Sequence, residues 1–400
     1  MSNQSLRFAT VCSGVEAVSL AWEPLGMTPV FYSEIEAFPK AVLAHRWPAV
    51  PDLGDLTTIR GEEWKGKVDI LWGSTPCQAF SAAGAKDGMS DPRGALTMSF
   101  VDIADKMDPD FIVWENVKGV FSDKQNAFGH FLAALAGEDG PLEPPGGRWT
   151  NAGYVLGPRR TVAWRVFNAQ HSGVPQRRHR VFLVSCPVGG ADPREILFES
   201  DGPRRDTPPS PQAEKEDTYH PAESFTASPL SNVCYVNTDA YTKTSLTTAY
   251  PLKADQGSGG RGSVAMAVLR DGIWEADVRR LLPEECERLQ GMPVGHTAIP
   301  WDGKPADKCP DTLRWKTLGN SLNVLDARWI GERIIASRKP PVRFWDDLPN
   351  SILLEDCYVP GCNARTCGGG TSENVAITLC PQHRNREGLD AGLAAYRSWG

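Results

Sequence analysis

Cys77 is the residue best suited to chemistry in this sequence. It follows Pro76, which comes soon after a short apolar stretch at 68–72, and it opens a run rich in Gly, Ser and Ala. The apolar stretch predicts a buried strand, and the proline ring restricts the backbone directly before the cysteine. A sulfur held in this way at a strand end is free to meet a substrate, and a thiolate is the strongest nucleophile among ordinary side chains. The alternative interpretation, a buried and inert thiol, fits three other cysteines better: Cys12, Cys186 and Cys286.

A second group of cysteines lies near the end of the sequence. Cys357-x4-Cys362, followed by Cys380-x2-His383, has the spacing of ligands for a tetrahedral zinc ion, with Cys367 as an alternative ligand. Disulfides are not expected in a protein that lacks a secretion signal. The pattern therefore predicts a small zinc module in the tail, and unrelated cysteines are the alternative.

Length and composition are those of a globular protein. The 400 residues suffice for two or three domains with a full core. No apolar run approaches the length of a membrane span, and residues 1–10 lack the basic start and apolar stretch of a signal peptide. We therefore expect a cytoplasmic protein with no membrane partner. The formal net charge of −7 argues mildly against non-specific binding to nucleic acid.

One segment reverses this charge balance. Residues 148–194 hold eight arginines and one aspartate, but neither lysine nor glutamate. The arginines are Arg148, Arg159, Arg160, Arg165, Arg177, Arg178, Arg180 and Arg194. A locally basic surface on an acidic protein can bind phosphates. The segment therefore predicts a surface for nucleic acid, and a merely solvated charged face is the alternative.

The pattern of apolar and polar residues predicts alternating strands and helices. Strands are expected at 6–12, 28–32, 68–72, 111–114, 162–168 and 180–186, and helices at 16–25, 35–46, 283–290 and 324–337. Such alternation is typical of an α/β protein with a mostly parallel sheet and helices on both faces. Ligands in such sheets bind beyond the carboxyl ends of the strands. The candidate residues at those ends, which are expected to share one cleft, are Ser13, Gly14, Glu34, Cys77 and Glu115.

Six short motifs resemble those of the cytosine-C5 DNA methyltransferases of bacteria and phages. They are Gly73-Ser-Thr-Pro-Cys-Gln-Ala-Phe-Ser-Ala-Ala-Gly84, Arg93-Gly-Ala-Leu96, Glu115-Asn-Val117, Gln176-Arg-Arg-His-Arg180, Arg288-Leu-Gln-Gly-Met-Pro293 and Gly319-Asn-Ser321. Each motif alone is weak, but their joint order and spacing extend over roughly residues 6–337. The resemblance implies a Rossmann-like, S-adenosylmethionine-dependent methyltransferase fold, with a smaller target-recognition domain and the small zinc-binding-like tail.

The resemblance also implies a covalent route to methylation. Carbon 5 of cytosine is a poor nucleophile, and attack by a thiolate at carbon 6 turns the ring into an enamine whose carbon 5 accepts a methyl group. Cys77 would be that thiolate, and a partly desolvated Glu115 would supply a proton or a hydrogen bond at N3. Arg178 and Arg180, alternating on one strand face, would both point into the site. Arg178 would contact the cytosine carbonyl or a phosphate, and Arg180 would help to hold the catalytic loop; phosphate anchoring alone is the alternative.

A pocket for the methyl donor, S-adenosylmethionine, is implied as well. Its matching residues are Ser13, Gly14, Glu34, Asp55, Pro76, Leu96 and Asn320. Glu34 would accept hydrogen bonds from ribose hydroxyls, and Asp55 would meet the adenine edge. The first loop departs from the family pattern, because Cys12 replaces the usual aromatic residue and Glu16 replaces a usual glycine. The detailed donor contacts, and the identity of the donor itself, are therefore left open.

A cytosine within a duplex must rotate out of the stack before its carbon 6 can be attacked. The segment 78–93 is expected to close over the flipped base, with Gln78 and Ser81 as candidates to fill the vacated space. The other residues expected to bind substrate are Asn116, Gln176 and Lys253. Sequence reading is expected in the variable segment 187–275, which in this family faces the major groove.

The domain organisation follows from these assignments. We predict a catalytic and donor-binding domain at 1–186, a linker and target-recognition region at 187–275, a returning part at 276–340 and a Cys/His tail at 341–400. The expected partners are double-stranded DNA and a cognate restriction endonuclease, and the expected state is a monomer. Two alternatives stay open: a methyltransferase that acts on RNA such as tRNA, and a DNA-binding homologue with an impaired donor site.

Overall fold

The computed structural model describes residues 5–75, 92–123, 125–198, 233–237, 244–245, 264–270, 273–338, 369–372 and 375–378. By its internal contacts the chain divides into two compact units, Met1–Ile335 and Ala336–Gly400. Within the described ranges, no helix has the length and apolar character needed to cross a membrane.

The first unit contains a seven-stranded sheet. Its strands are β1 (Arg7–Val11), β2 (Thr28–Phe31), β3 (Ile70–Gly73), β4 (Phe111–Val117), β5 (Ala152–Leu156), β6 (Arg160–Asn168) and β7 (His179–Pro187). Their order across the sheet is β2-β1-β3-β4-β7-β6-β5. The pairs β1–β2, β1–β3 and β3–β4 are parallel, whereas β4–β7, β6–β7 and β5–β6 are antiparallel. Only β7 and β5 run against the other strands, so the predicted mostly parallel sheet is confirmed.

Helices cover the sheet and lie in the connections between its strands. They are α1 (Ala17–Trp22), α2 (Ala37–Arg46), α3 (Pro92–Met107), α4 (Ala127–Ala136), α5 (Pro193–Leu197), α6 (Pro283–Leu289), α7 (Asp311–Asn320) and α8 (Val324–Arg338). The predicted helix at 16–25 is α1 extended by a 3-10 turn, Glu23–Leu25, and it ends at Gly26 with a positive φ of 83°. A glycine in the left-handed region is a common helix stop.

The central strands are buried on both faces, and their alternate residues enter two separate cores. Phe8 of β1 packs in one core with Trp22 and Ile330, which belong to α1 and α8. Its neighbour Ala9 enters the other core with Phe100 of α3. This alternation is the two-residue period of a strand between two helical layers. Packing from both sides fixes the carboxyl ends of the central strands, where the candidate site lies.

Helix α8 approaches α1 at Gly331. A Cβ atom built on Gly331 would lie 2.4 Å from Nε1 and 2.6 Å from Cδ1 of Trp22. The Trp22 side chain is fully buried, and its indole nitrogen donates a hydrogen bond of 2.7 Å to the carbonyl of Ala327. The absence of a side chain at Gly331 therefore allows this close helix contact.

Residues 233–280 contribute a second, antiparallel sheet to the first unit. Its strands are β8 (Val233–Asn237), β9 (Thr244–Ser245), β10 (Val264–Arg270) and β11 (Ile273–Arg280), in the order β11-β10-β8-β9. In the second unit, β12 (Gly369–Ser372) and β13 (Val375–Thr378) form an antiparallel pair.

The end of β7 and helix α5 lie in the first residues that the sequence analysis assigned to the linker. Residues 187–198 continue the first unit, because Ile196 and Leu197 of α5 are fully buried in its core. The Arg165 side chain on β6 donates to the carbonyl of Leu197 at 3.0 Å, and Arg333 of α8 donates to that of Ile196 at 2.6 Å. These hydrogen bonds connect α5 to the sheet and to α8.

The predicted basic surface at 148–194 is smaller than the sequence suggested. Arg160, Arg165 and Arg178 are each less than one-tenth exposed. Arg160 donates to the carbonyl of Pro109 at 2.9 Å, so its guanidinium is hydrogen-bonded within the protein interior and does not face a phosphate. Two more arginines of the segment are paired with aspartates. Much of this positive charge is therefore structural.

Candidate active site

A cleft of about 590 Å³ opens at the carboxyl ends of β1, β2, β3 and β4. This volume falls within the range of roughly 300–1,000 Å³ typical of ligand pockets. Its lining includes these predicted site residues: Ser13, Gly14, Glu34, Asp55, Leu96, Glu115, Asn116, Arg180 and Asn320. The structure therefore brings the predicted donor pocket and two of the predicted catalytic groups to one cavity.

The first loop of the cleft is held against the end of β2. Gly14 has a φ of +58°, and a Cβ atom built on it would meet nothing within 4 Å, so the backbone borders open space. Its N–H donates to a carboxylate oxygen of Glu34 at 2.8 Å. The N–H of Ser13 donates to the carbonyl of Ser33 at 3.1 Å. A left-handed glycine is suited to such a turn because it carries no side chain.

Glu34 organises this end of the cleft through three backbone donors. One carboxylate oxygen accepts from Gly14, and the other accepts from the N–H groups of Ile35 and Glu36 at 2.8 Å each. The residue is 8% exposed. Its carboxylate therefore links the first loop to the chain that leads into α2. Hydrogen bonds to a charged acceptor are the stronger kind.

Asp55 lies beside this loop and is held by a short 3-10 turn, Leu56–Thr58. Its carboxylate accepts from the N–H of Thr57 at 2.9 Å and from the Thr57 hydroxyl at 2.8 Å. Gly54, directly before it, has a φ of +73°. Acceptor oxygens from Glu34 and Asp55 thus line one end of the cleft, where the hydroxyl and amine donors of a nucleoside would find partners.

The other end of the cleft contains an ion pair between neighbouring strands. Arg180 Nε on β7 lies 3.0 Å from a carboxylate oxygen of Glu115 on β4, and the two side chains are 16% and 9% exposed. The antiparallel register of the strands places Val117 opposite Arg180, two residues along from Glu115. Glu115 lies within β4, which is longer than predicted, rather than beyond its end.

Thr75, two residues before Cys77 in the sequence, is fixed by its neighbours. Asn116 donates from its side-chain amide to the Thr75 carbonyl at 2.8 Å, and Trp114 donates from its indole to the Thr75 hydroxyl at 2.9 Å. That hydroxyl also lies 3.0 Å from the hydroxyl of Thr97 on α3. Asn116, which the sequence analysis expected to bind substrate, therefore holds the backbone at Thr75.

Arg178 does not share the cleft with Arg180, and the prediction of a common strand face is wrong. Arg178 precedes β7, is 1% exposed, and donates from its guanidinium to the carbonyls of Gly319 and Ser321. Burial and the charge of Arg180 lower the pKa of the Arg178 guanidinium. Arg178 therefore braces the segment that carries Asn320 into the cleft.

Residues 6–191 match the family model of the C-5 cytosine-specific DNA methylases. In this part, the chain resembles that family. The match spans all seven strands of the main sheet, and it includes the first loop, Glu34, Asp55 and the Glu115–Arg180 pair.

The chain also resembles individual proteins in sequence. The chain is 34% identical over 462 aligned positions to a protein of Escherichia phage P1 named DNA N-6-adenine-methyltransferase, with 83% of this chain and 61% of that protein covered. It is 25% identical to the type II methyltransferase M2.BsuMI of Bacillus subtilis, with 82% and 75% covered. The chain thus spans less than two thirds of the length of the phage relative.

A solved structure supports the fold alone. The crystal structure of the S. pombe Dnmt2 methyltransferase superposes with a TM-score of 0.55 at 14% identity, over 83% of this chain and 99% of that one. This likeness agrees with the mostly parallel seven-stranded sheet.

Several predicted site residues lie outside the described ranges. They are Pro76, Cys77, Gln78, Ser81 and Lys253, together with the predicted zinc ligands Cys357, Cys362, Cys380 and His383. The described residues contain no group of three or more His, Cys, Asp or Glu side chains that could hold a metal. The zinc module therefore stays a prediction. Gln176 is described but does not line the cleft; it is fully buried, and its side-chain amide has no hydrogen-bond partner among the described residues.

Two lining residues were singled out by sequence only as departures from the family. Burial, with the carboxylates of Glu34 and Asp55 adding to it, raises the pKa of the Cys12 thiol to about 12, which keeps that thiol neutral. Glu16 is fully buried, and burial raises the pKa of its carboxyl to about 7. Trp72 of β3 also lines the cleft. It went unnoticed because an apolar residue in a buried strand gives no functional signal.

Proposed function

We propose that this protein transfers a methyl group from S-adenosylmethionine to carbon 5 of a cytosine in double-stranded DNA. The observation that carries the proposal is the single cleft that joins a nucleoside-sized set of acceptors, Glu34 and Asp55, to the Glu115–Arg180 ion pair. The anchored Thr75 supports it, because Thr75 lines the cleft and Cys77 follows it by two residues in the sequence.

The donor end of the cleft fits an adenosyl group in its chemistry. Glu34 offers carboxylate acceptors for ribose hydroxyls, and Asp55 offers acceptors for an exocyclic amine. Gly14 leaves the backbone of the first loop open to close approach. When bound, S-adenosylmethionine supplies an electrophilic methyl group on a positively charged sulfur.

The acceptor end supports a covalent route through Cys77. The sulfur bonds to carbon 6, and the electron pair of the C5–C6 double bond moves into the ring. Glu115 donates a proton or hydrogen bond at N3 as this charge develops. Carbon 5 then takes the methyl group, and the donor leaves as a neutral thioether. Water accepts the carbon-5 proton, the bond between sulfur and carbon 6 breaks to release the thiolate, and N3 returns its proton to Glu115, which restores the C5–C6 double bond. Arg180 holds the Glu115 carboxyl in place through their 3.0 Å contact.

A duplex substrate requires the target base to leave the stack, because carbon 6 is covered inside the helix. Most of the antiparallel sheet of 233–280 lies in the segment 187–275, in which we propose that sequence is read. A short target site, a cognate restriction endonuclease, a monomeric state and a cytoplasmic location stay proposals of the same kind. RNA methylation stays an alternative outcome.

The name of the phage P1 relative raises a second outcome, methylation of the adenine exocyclic amine. An amine nitrogen carries its own lone pair, so that reaction needs no thiolate adduct. The family match at 6–191 favours cytosine. A test must therefore report which atom of which base is modified.

The protein is incubated with isotopically labelled donor and either a mixed-sequence duplex or tRNA, and the products are mapped at base resolution. We expect 5-methylcytosine in the duplex, and a trapped protein–DNA adduct when 5-fluorocytosine replaces the target base. Cys77→Ala should abolish transfer and trapping, and Glu115→Gln should slow transfer by roughly 10²–10⁴-fold. Cys309→Ala, a cysteine that does not line the cleft, is the matched control.

Each contrary result has a distinct meaning. N6-methyladenine as the product would overturn the choice of base, and label only in tRNA would overturn the choice of polymer. Full activity of Cys77→Ala would overturn the covalent route while leaving the donor cleft intact.

A further inference from the structure

Glu16 occupies an unusual position for a charged residue. It adopts a left-handed backbone with φ of 60°, and its carboxyl group is fully buried next to the cleft. One oxygen accepts from the N–H and hydroxyl of Ser19 at 3.1 and 3.0 Å, and the other accepts from the Thr10 hydroxyl at 2.7 Å. The carboxyl thus caps α1 from beneath the first loop.

Capping alone does not account for a charged group here. A serine, threonine or asparagine caps a helix as well and carries no charge to desolvate. Within the described residues Glu16 makes no ion pair. Burial of an unpaired carboxylate is costly. The nearest place for a compensating positive charge is the cleft itself, which Glu16 lines.

The charges around the donor end support this reading. Its other acidic lining residues are Glu34, Glu36 and Asp55, and the described lining contains a single arginine, Arg180, at the opposite end. Glu36 is paired with Lys316 at 2.7 Å, so Glu34 and Asp55 are the carboxylates that make the donor end anionic next to this buried carboxyl group. A cationic ligand would gain favourable electrostatic energy there, whereas a neutral ligand of the same shape would not.

We propose that Glu16 makes the cleft select the positively charged donor, S-adenosylmethionine, over its neutral thioether product, S-adenosylhomocysteine. This inference rests on the proposed function, because it takes the sulfonium compound as the ligand. Glu16 acts electrostatically on the bound ligand and is a positioning residue rather than a catalytic one. Its purpose is to favour exchange of spent product for fresh donor.

The proposal predicts that donor binding is coupled to a proton. Burial raises the pKa of the Glu16 carboxyl to about 7, so the free protein near neutrality is a mixture of both forms. A cation in the cleft favours the carboxylate, so donor binding releases a proton near pH 7 and tightens as the pH rises. The neutral product lacks the sulfonium charge and drives no such release.

Other titratable groups near Glu16 do not mimic this behaviour. Burial raises the pKa values of the Tyr32 phenol and the Cys12 thiol, and burial lowers the pKa of His296, whose ring nitrogen lies 2.8 Å from the Val15 carbonyl. All three groups are therefore neutral at and above pH 7. The charged groups near Glu16 include the carboxylates Glu23, on the continuation of α1, and Glu34 and Asp55 at the cleft.

The test is calorimetric titration of the full chain with each compound, at about pH 6 and about pH 8, in two buffers of different ionisation enthalpy. Glu16→Gln keeps an acceptor for Ser19 and removes the charge. Glu23→Gln, an exposed neighbour on the continuation of α1, is the matched control for a general change in charge.

We expect the parent protein to prefer donor over product by roughly ten-fold more at the higher pH than at the lower one, from one charge pair across a partly shielded distance. It should release a proton on binding donor near pH 7. Glu16→Gln should lose both effects, and Glu23→Gln should keep them.

The same preference and proton release in Glu16→Gln as in the parent would overturn the inference while leaving the proposed function standing. A parent protein that binds neither compound would overturn both. The proton release is measured on the unaltered protein, so its absence in a parent that binds donor also overturns the inference, whatever the folding of the variant.

Discussion

Replacement of Glu34 by glutamine is the sharpest test of how the donor end of the cleft is built. The carboxylate accepts three backbone N–H groups at 2.8 Å, from Gly14, Ile35 and Glu36. A glutamine has one acceptor oxygen, and its NH₂ group would face a donor. If the oxygen keeps Ile35 and Glu36, the N–H of Gly14 loses its partner.

The size of the effect follows from these contacts. Losing a charged acceptor for one part-buried N–H costs about 1–3 kcal/mol of unfolding free energy, with the lower end expected because Gly14 borders the cleft and water can reach it. A ribose hydroxyl that loses a charged acceptor costs the complex about 1.5–3 kcal/mol, which corresponds to a roughly 10- to 150-fold weaker Kd for S-adenosylmethionine.

Calorimetric titration with the donor and thermal unfolding of the free protein measure the two effects separately. Glu63→Gln, an exposed glutamate of a 3-10 turn outside the cleft, is the control and should change neither. A Glu34→Gln variant that binds donor within about two-fold of the parent would refute the assignment of Glu34 to the donor pocket.

Three further outcomes follow from the packing and the buried charge. Gly331→Ala should destabilise the protein by about 1–3 kcal/mol in denaturant unfolding, because its Cβ would overlap the buried Trp22 ring; an unchanged midpoint would contradict this. The pKa of Glu16 in the folded state, about 7, lies above its ordinary value of 4.5, so its burial costs stability that grows as the pH rises through that interval and is constant above it. Glu16→Gln should therefore raise the melting temperature relative to the parent near pH 8 and leave it nearly unchanged near pH 4, and equal shifts at both would count against a titrating Glu16. In the tail, zinc predicted from the Cys357–His383 pattern should appear in metal analysis at about one equivalent per chain and be lost in Cys357→Ser; no zinc in the parent would remove that prediction.

The parts of the site that depend on short-range signals could be predicted from the sequence. Gly14 and Glu34 follow apolar strands or tight turns within a few residues, so their positions at the carboxyl edge of the sheet follow from local pattern. Glu115 was predicted for the same reason, and only the length of β4 differed, whereas Asp55 and Asn116 were assigned through the resemblance to a known family. For Gly14, Glu34 and Glu115 the strand and the functional residue lie in one continuous stretch.

The parts that failed depend on partners far away in the chain. Arg178 is buried because its guanidinium meets carbonyls 141 and 143 residues later, and nothing next to it in the sequence announces this. Arg160 and Arg165 likewise satisfy interior carbonyls, so counting arginines overestimated the basic surface. Helix α3 was missed although Pro92 at its start is a common helix opener, because no strongly amphipathic pattern follows.

The arrangement of charge in the cleft gives a direction to the proposed reaction. Carboxyl groups of Glu16, Glu34 and Asp55 surround the donor end, and the lining arginine, Arg180, lies at the other end beside Glu115. A sulfonium donor is therefore attracted to the first loop. A nucleotide with its phosphate is repelled there and meets no net charge at the other end, where Arg180 is paired with Glu115. Only β3 lies between β1 and β4 in the sheet. The two ligands are therefore expected at nearby strand ends, the donor beside β1 and the nucleotide beside β4. Reversing the charge at Arg180 should weaken binding of the DNA substrate far more than binding of the donor, and an equal loss of both would show that the cleft does not separate its ligands by charge.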